Sequence, residues 1–258
     1  MRRKKHHWLK WFLGLDLFLS AMLAGLYWHD EGRLPSPVLL SDWLSQAKQT
    51  IGGMPEQPPT AVTPLNIPLI KQYPQLPRGC EVTSLAMLLN YAGVDVNKLT
   101  LAHAIHKVPY SANGRYGDPE KGFVGNMYRS DQPGYGVYHQ PLVRLADHYL
   151  PNRITDLSGK SFTAVEEKLS EGKPVLVIIN TTFRPLASSA FQTWSTKNGT
   201  VRVTYFEHAV LLTGYTPDSV FFNNPLGGKN MSVNKEAFIK AWQQMGSQAI
   251  SYRDFPGI

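Results

Sequence analysis

The sequence predicts an α+β fold, with helices leading and an antiparallel sheet closing the chain. Three features point there. Apolar residues recur at helical spacing behind Cys80, a β-branched run fills 174–180, and short strand signals then dominate to the end. That segregated order is the α+β layout rather than an alternating one.

The chain opens on a basic cytoplasmic tip, 1–10, where Arg2, Arg3, Lys4, Lys5 and Lys10 occur without an acid. Residues 11–28, WFLGLDLFLSAMLAGLYW, hold one charge, Asp16. As a helix they rise about 27 Å, close to the hydrocarbon thickness of a bilayer. Trp8, Trp11, Tyr27 and Trp28 flank the run as interface anchors, and Asp30 and Glu31 follow it. The positive-inside rule keeps the tip in the cytoplasm and exports the rest. A cleaved signal peptide competes with this reading. The aromatic end and the missing A-x-A pattern favour an uncleaved transmembrane signal-anchor. Residues 29–64 read as a Pro-rich extracellular tether, broken by Pro35, Pro37, Pro55, Pro58, Pro59 and Pro64. The folded domain is expected over 65–258.

Inside that domain a strand is expected at Leu65–Leu69. Val82, Leu85, Ala86, Leu89 and Ala92 then mark a helix that Gly93 stops, and a second helix is expected over 97–107. Residues 108–138 are rich in Gly, Pro, Asn and Tyr and read as one long loop, of the kind that often carries function. Its Tyr135 and Tyr138 are candidates for substrate binding, or for pinning the loop to the domain. Helices are expected over 140–149 and 162–171, a buried strand over 174–180 and a polar loop over 181–199. Strands near 200–206, 208–214 and 219–222, a helix over 234–244 and a strand over 248–252 complete the chain.

Composition excludes several classes. Hydrophobic residues make up 43%, enough for a core, and a mean hydropathy of −0.24 argues against a multi-span membrane protein. Net charge is +7, of which the tip supplies +5, so the domain lacks the basic cluster of a nucleic-acid binder. One cysteine in 258 residues excludes an intramolecular disulfide and a thiolate-rich zinc site. No phosphate-binding glycine loop, G-x-S-x-G or H-E-x-x-H occurs, and His103 and His106 read as helix-surface histidines. No metal and no cofactor are expected.

The lone cysteine has telling neighbours. Cys80 falls at the start of the best helix, where the macrodipole and free N–H groups favour a thiolate. Gly79 leaves room beside the sulfur for a substrate, and Arg78 adds a positive charge that Glu81 opposes. His208 opens an apolar strand 128 residues on, near the roughly 130–150 that separate nucleophile and base in papain-type enzymes. Asn224 lies 16 residues further, placed by the next strand to orient the imidazole. Gln72, 8 residues before the cysteine, is positioned to donate to an oxyanion together with the Cys80 backbone N–H. Each residue alone has an ordinary structural reading. The order Gln, Cys, His, Asn on a helix-then-sheet layout points to nucleophilic catalysis with Cys80, His208, Asn224 and Gln72.

The stretch from Gln72 through LPRGCEVTSLAMLLNYAG, residues 76–93, resembles the stand-alone relatives of the bacteriocin leader peptidases, which cut after a double glycine. Gly117-Asp-Pro with Gly122-Phe-Val-Gly, PGYGVY at 133–138, HAVLLTGY at 208–215 and FIKAW at 238–242 are similar to that family too. The resemblance covers about residues 65–253. It implies a papain-like cysteine peptidase fold, the helical half carrying the nucleophile and the sheet the histidine. It also implies Cys80 and His208 as the dyad, with Asn224 where the family commonly has Asp, and Gln72, with Gln75 as runner-up, as the glutamine. The expected function is hydrolysis of a peptide or cell-envelope component through an acyl-enzyme. An envelope transpeptidase or acyltransferase of the same fold, and an inactive surface binding module, are the alternatives. The expected partners are a peptide or cell-wall peptide and the membrane; the expected state is a monomer on the surface of a Gram-positive cell.

Overall fold

Helix α1, Cys80–Tyr91, exposes no face over its first ten residues: Cys80 through Leu89 are all buried. Such a helix is stable only when surrounded. The remaining elements surround it. The computed structural model describes residues 58–254. The tip, the anchor at 11–28 and the tether up to residue 57 therefore lie outside the described residues.

After α1 come α2, Lys98–Ala104, capped by the Asn97 side chain on the Thr100 N–H at 2.9 Å, and four two-residue strands. These are β1 Lys107–Val108, β2 Ser111–Ala112, β3 Arg115–Tyr116 and β4 Phe123–Val124. Helix α3, His139–Tyr149, strand β5, Ile154–Asp156, and helix α4, Phe162–Ser170, follow. Then come β6 Val175–Asn180, β7 Gln192–Thr196, β8 Gly199–Val203, β9 Glu207–Tyr215, β10 Ser219–Asn223 and β11 Met231–Asn234. Helix α5, Lys235–Gln244, and strand β12, Ala249–Tyr252, close the domain.

Among the described residues the main sheet has six strands in the order β11-β10-β9-β6-β12-β5. Every neighbouring pair in it is antiparallel. Strand β6 is buried along its whole length because both faces are covered. Leu176, Ile178, Ala209 and Leu211 pack with α1 residues such as Leu85, Leu88 and Leu89. Val177, Ile179, Val210 and Leu212 pack on the opposite face with Val165 and Leu169 of α4 and Phe238 and Trp242 of α5. Each fully buried aliphatic side chain is worth about 1.5–3 kcal/mol, so the two layers hold the sheet between them. Ser84 Oγ donates to the Ala209 carbonyl at 3.2 Å and ties α1 to β9.

Several expectations need correction. Leu65–Leu69 forms no strand; the chain instead bridges at Val62, whose N–H and carbonyl pair with Tyr215 at 2.8 and 3.0 Å. Tyr215 also donates its hydroxyl to the Pro59 carbonyl at 2.6 Å. The last residues assigned to the tether are thus part of the fold, because the end of β9 offers unpaired backbone groups. The loop expected over 181–199 contains β7, which pairs with β8 as a hairpin. The loop over 108–138 contains the short pairs β1–β4 and β2–β3.

Candidate active site

Gly79 precedes α1 as its N-cap, with no side-chain cap. A Cβ there would sit 2.5 Å from the Leu76 Cβ. The missing side chain makes room for Leu76, a packing partner, rather than for a substrate. Arg78 donates to the carbonyls of Arg129 and, at 3.0 Å, Ser130, so its charge anchors the following loop. Cys80 is buried, 7% exposed. Its sulfur donates to Glu81 Oε2 at 3.3 Å.

On β9, His208 is 2% exposed. Its Nε2 lies 2.9 Å from Asn224 Oδ1. That oxygen also accepts the Leu226 N–H at 3.0 Å, so it faces two donors and fixes the imidazole proton on Nε2. The other ring nitrogen, Nδ1, is left as an acceptor. The Phe183 ring, from the turn after β6, is 6.2 Å from the imidazole centroid to centroid. Burial pushes the His208 pKa down to about 4, against a smaller upward pull from Asn224.

The structure brings His208 and Asn224 together as the sequence predicts. It does not place the sulfur in hydrogen-bond contact with the imidazole. Ala209 and Leu211 turn toward α1, whereas His208 has the alternate parity of Val210 and Leu212 and sits beside Phe183. The two groups nevertheless meet the same short stretch of strand. The Ala209 backbone amide, one residue after His208, lies beside the sulfur and pulls its pKa down.

Burial and neighbouring acids oppose the effect of the helix start on the Cys80 thiol. Burial pushes the Cys80 pKa up first, and the charges of Glu81 and Glu207 push it further. Glu81 is fully buried; burial raises its carboxyl to about 7 against the pull of backbone amides, including Val137 N–H at 2.7 Å. Burial and the charge of Glu81 raise Glu207 as well. One ligand-type atom each from Cys80, Glu81 and Glu207 lie within 4.8 Å of one another. Sequence reading noted Glu81 and missed Glu207, which carries no motif beyond being the acid before His208.

Gln72 is 2% exposed. Its Nε2 donates to the carbonyls of Leu76 at 3.2 Å and Pro77 at 2.9 Å, so these N–H groups brace the chain leading into α1. Its Oε1 is enclosed without a partner. Tyr135 and Tyr138 are 6% and 5% exposed and pack in an aromatic cluster with Trp194. Their hydroxyls meet at 3.1 Å, and Tyr138 donates to the Arg202 carbonyl at 3.1 Å. They pin the loop to the β7–β8 hairpin, and Tyr138 also lines a cavity with Glu120, His139 and Arg202. Exposed aromatics flank the site residues in sequence: Tyr73 after Gln72, and Tyr205 and Phe206 just before Glu207, at 53%, 56% and 45%.

A thiol at the head of a central helix, beside a strand whose histidine is oriented by an asparagine, on a helix-plus-antiparallel-sheet scaffold, defines the papain-like cysteine peptidase class. Within it, this chain belongs to the Peptidase C39-like family, whose model matches residues 64–250. The uncharacterized protein YvpB of Bacillus subtilis (strain 168) is 49% identical over 190 residues, covering 72% of this chain and 74% of that protein. The crystal structure of a Bacillus anthracis protein classed as a C39-like peptidase is 50% identical, with a TM-score of 0.74. The match covers 75% of this chain and 98% of that one.

Proposed function

We propose that this chain is an exported cysteine peptidase or amidase, tethered by residues 11–28, that cleaves a peptide or envelope component through an acyl-enzyme on Cys80. One observation carries the catalytic reading. The 2.9 Å contact between His208 Nε2 and Asn224 Oδ1 leaves Nδ1 as an acceptor, on the strand whose next amide flanks the Cys80 sulfur.

In this reading the thiol proton passes to His208 Nδ1 as the sulfur attacks the carbonyl carbon. The imidazolium then gives that proton to the leaving amine, and water, deprotonated by the same nitrogen, releases the acyl group. Asn224 orients the ring without supplying charge, in keeping with an imidazole that is neutral at rest. The backbone N–H of Cys80, at a helix start, is available to the oxyanion. The Gln72 amide acts indirectly, by holding the 76–77 segment.

Turnover of a peptide library by the purified protein tests the reading. Cys80→Ser and His208→Ala are expected to abolish cleavage, and Asn224→Ala to lower kcat with little change in KM. Unaltered cleavage in His208→Ala would overturn it. The location has its own test: protease added to intact cells is expected to remove the domain and spare a short N-terminal stub. Full protection in intact cells would refute the exported topology.

A further inference from the structure

A cavity of about 240 Å³ lies between the start of α3, the end of α5 and the β7–β8 hairpin, and none of Cys80, His208 and Asn224 lines it. Sites for drug-sized molecules span roughly 300–1,000 Å³, so a ligand here would be smaller. Two charged groups of its lining are unspent. Glu120 Oε2 is enclosed and has no hydrogen-bond partner. His139 reaches that oxygen with Nε2 only at 3.8 Å, outside hydrogen-bond range, and its Nδ1 is taken by Asp156 at 2.8 Å. Arg202 is exposed, with its guanidinium carbon 3.5 Å from the Phe191 ring centroid. Among the described residues, no hydrogen bond occupies its guanidinium donors and no ion pair joins it to Glu120. Glu120 pushes the Tyr138 hydroxyl pKa up and Arg202 pulls it down, so both charges lie near that one ring. The lining amides are engaged: Gln244 bonds both backbone groups of Leu186, and Gln248 bonds the His139 N–H and the Met245 carbonyl.

A carboxylate oxygen enclosed without a donor is costly, and an ammonium group supplies a charged one. A guanidinium stacked on a ring, with its donors free, matches a carboxylate through two parallel bonds. We propose that this cavity binds a zwitterion of amino-acid or dipeptide size, its ammonium on Glu120 Oε2 and its carboxylate on Arg202. Phe191 and Met245 meet the apolar part of the ligand. A simple anion would leave Glu120 unpaired, and a simple cation would leave Arg202 free; a ligand carrying both charges satisfies both groups. Burial raises the Glu120 carboxyl and His139 opposes that rise; a bound ammonium opposes it further. The site stands apart from the chemistry at Cys80 and does not depend on it.

Calorimetric titration of the full-length Cys80→Ser chain tests this, since cleavage then consumes no probe. The probes are L-alanine and L-alanyl-L-alanine, which differ in the span between their charges. At least one is expected to bind about tenfold or more tighter than its own N-acetylated form, which lacks the ammonium, and its own C-terminal amide, which lacks the carboxylate. Glu120→Gln is expected to erase the preference over the N-acetylated form and keep the preference over the amide. Arg202→Gln is expected to do the reverse. Absence of binding by either zwitterion below roughly 10 mM, or equal binding of the blocked forms, overturns the proposal. So do preferences that both substitutions leave intact or erase together. Peptide turnover is a separate readout, so the hydrolase reading stands or falls independently.

Discussion

Gly79 shows how a single position near the sulfur is governed by packing. A methyl group added there meets the Leu76 Cβ at 2.5 Å, inside any real contact distance. Gly79→Ala is therefore expected to cost about 1–3 kcal/mol, the usual range for overpacking. Urea unfolding measures this; a midpoint equal to wild type would mean Leu76 moves aside freely. At the same scale, His208 and Glu81 pull stability in opposite directions with pH. Below its unfolded value near 6.5 the unfolded histidine takes up a proton that the buried ring refuses until about pH 4. Stability from His208 is thus lost as pH falls through that window. Glu81 keeps its proton up to about 7, whereas the unfolded chain releases it near 4.5. Its contribution is present below the unfolded value and is lost as pH rises towards 7. Glu81→Gln is expected to remove that loss, so its stability relative to wild type should be greater at pH 8 than at pH 5. Equal differences at both pH values would show that Glu81 titrates normally.

At the scale of elements, the β7–β8 hairpin and the 108–138 loop are fastened to each other by rings. Trp194 is 1% exposed, stacks on Tyr116 with centroids 4.3 Å apart, and meets Tyr110 and Tyr135 edge-on. Trp194→Ala is expected to cost about 3–5 kcal/mol, as for a fully buried tryptophan. Limited proteolysis is expected to cut first within 108–138, where short strands give little cooperativity of their own. Cleavage elsewhere first would mean the cluster is not what holds the loop. The edge formed by residues 59–65 gives a second case. A chain starting at residue 57 is expected to melt like the full protein. One starting at residue 66 loses the Val62–Tyr215 pairing, the Tyr215–Pro59 bond and the Leu65 N–H bond to Thr213, and is expected to melt lower. Identical melting of the two would show that this edge contributes nothing.

At the scale of the molecule, the candidate site is assembled around the first residues of β9. The face toward α1 carries Cys80 and Glu81 and receives Glu207 and Ala209. His208, on the same strand, sits beside Phe183 with Asn224 at 2.9 Å. At the first residues of β9 the Cys80 sulfur lies against the backbone next to the histidine. That geometry couples reactivity to the position of α1 on the sheet, which Ser84 fixes at the Ala209 carbonyl. Ser84→Ala is expected to reduce kcat more than it lowers stability, because one hydrogen bond is worth only about 0.5–1.5 kcal/mol. A change in stability with kcat intact would place the role of Ser84 in folding alone.

The sequence by itself determined the α+β order, the helix starting at Cys80, the buried strand before residue 180 and the pairing of His208 with Asn224. These follow from local periodicity and from a 16-residue spacing that one tight strand connection converts into contact. Tertiary structure decided the rest. Whether the helix start acidifies Cys80 depends on burial and on Glu207, which is 127 residues away in sequence and joins the site only through packing. Tyr135 and Tyr138 look alike as ligand-stacking or structural residues until Trp194, from a hairpin hidden in a polar stretch, closes over them. The pairing of Val62 with Tyr215 was likewise invisible, because a strand edge recruits whatever backbone passes it, and no side-chain pattern records that.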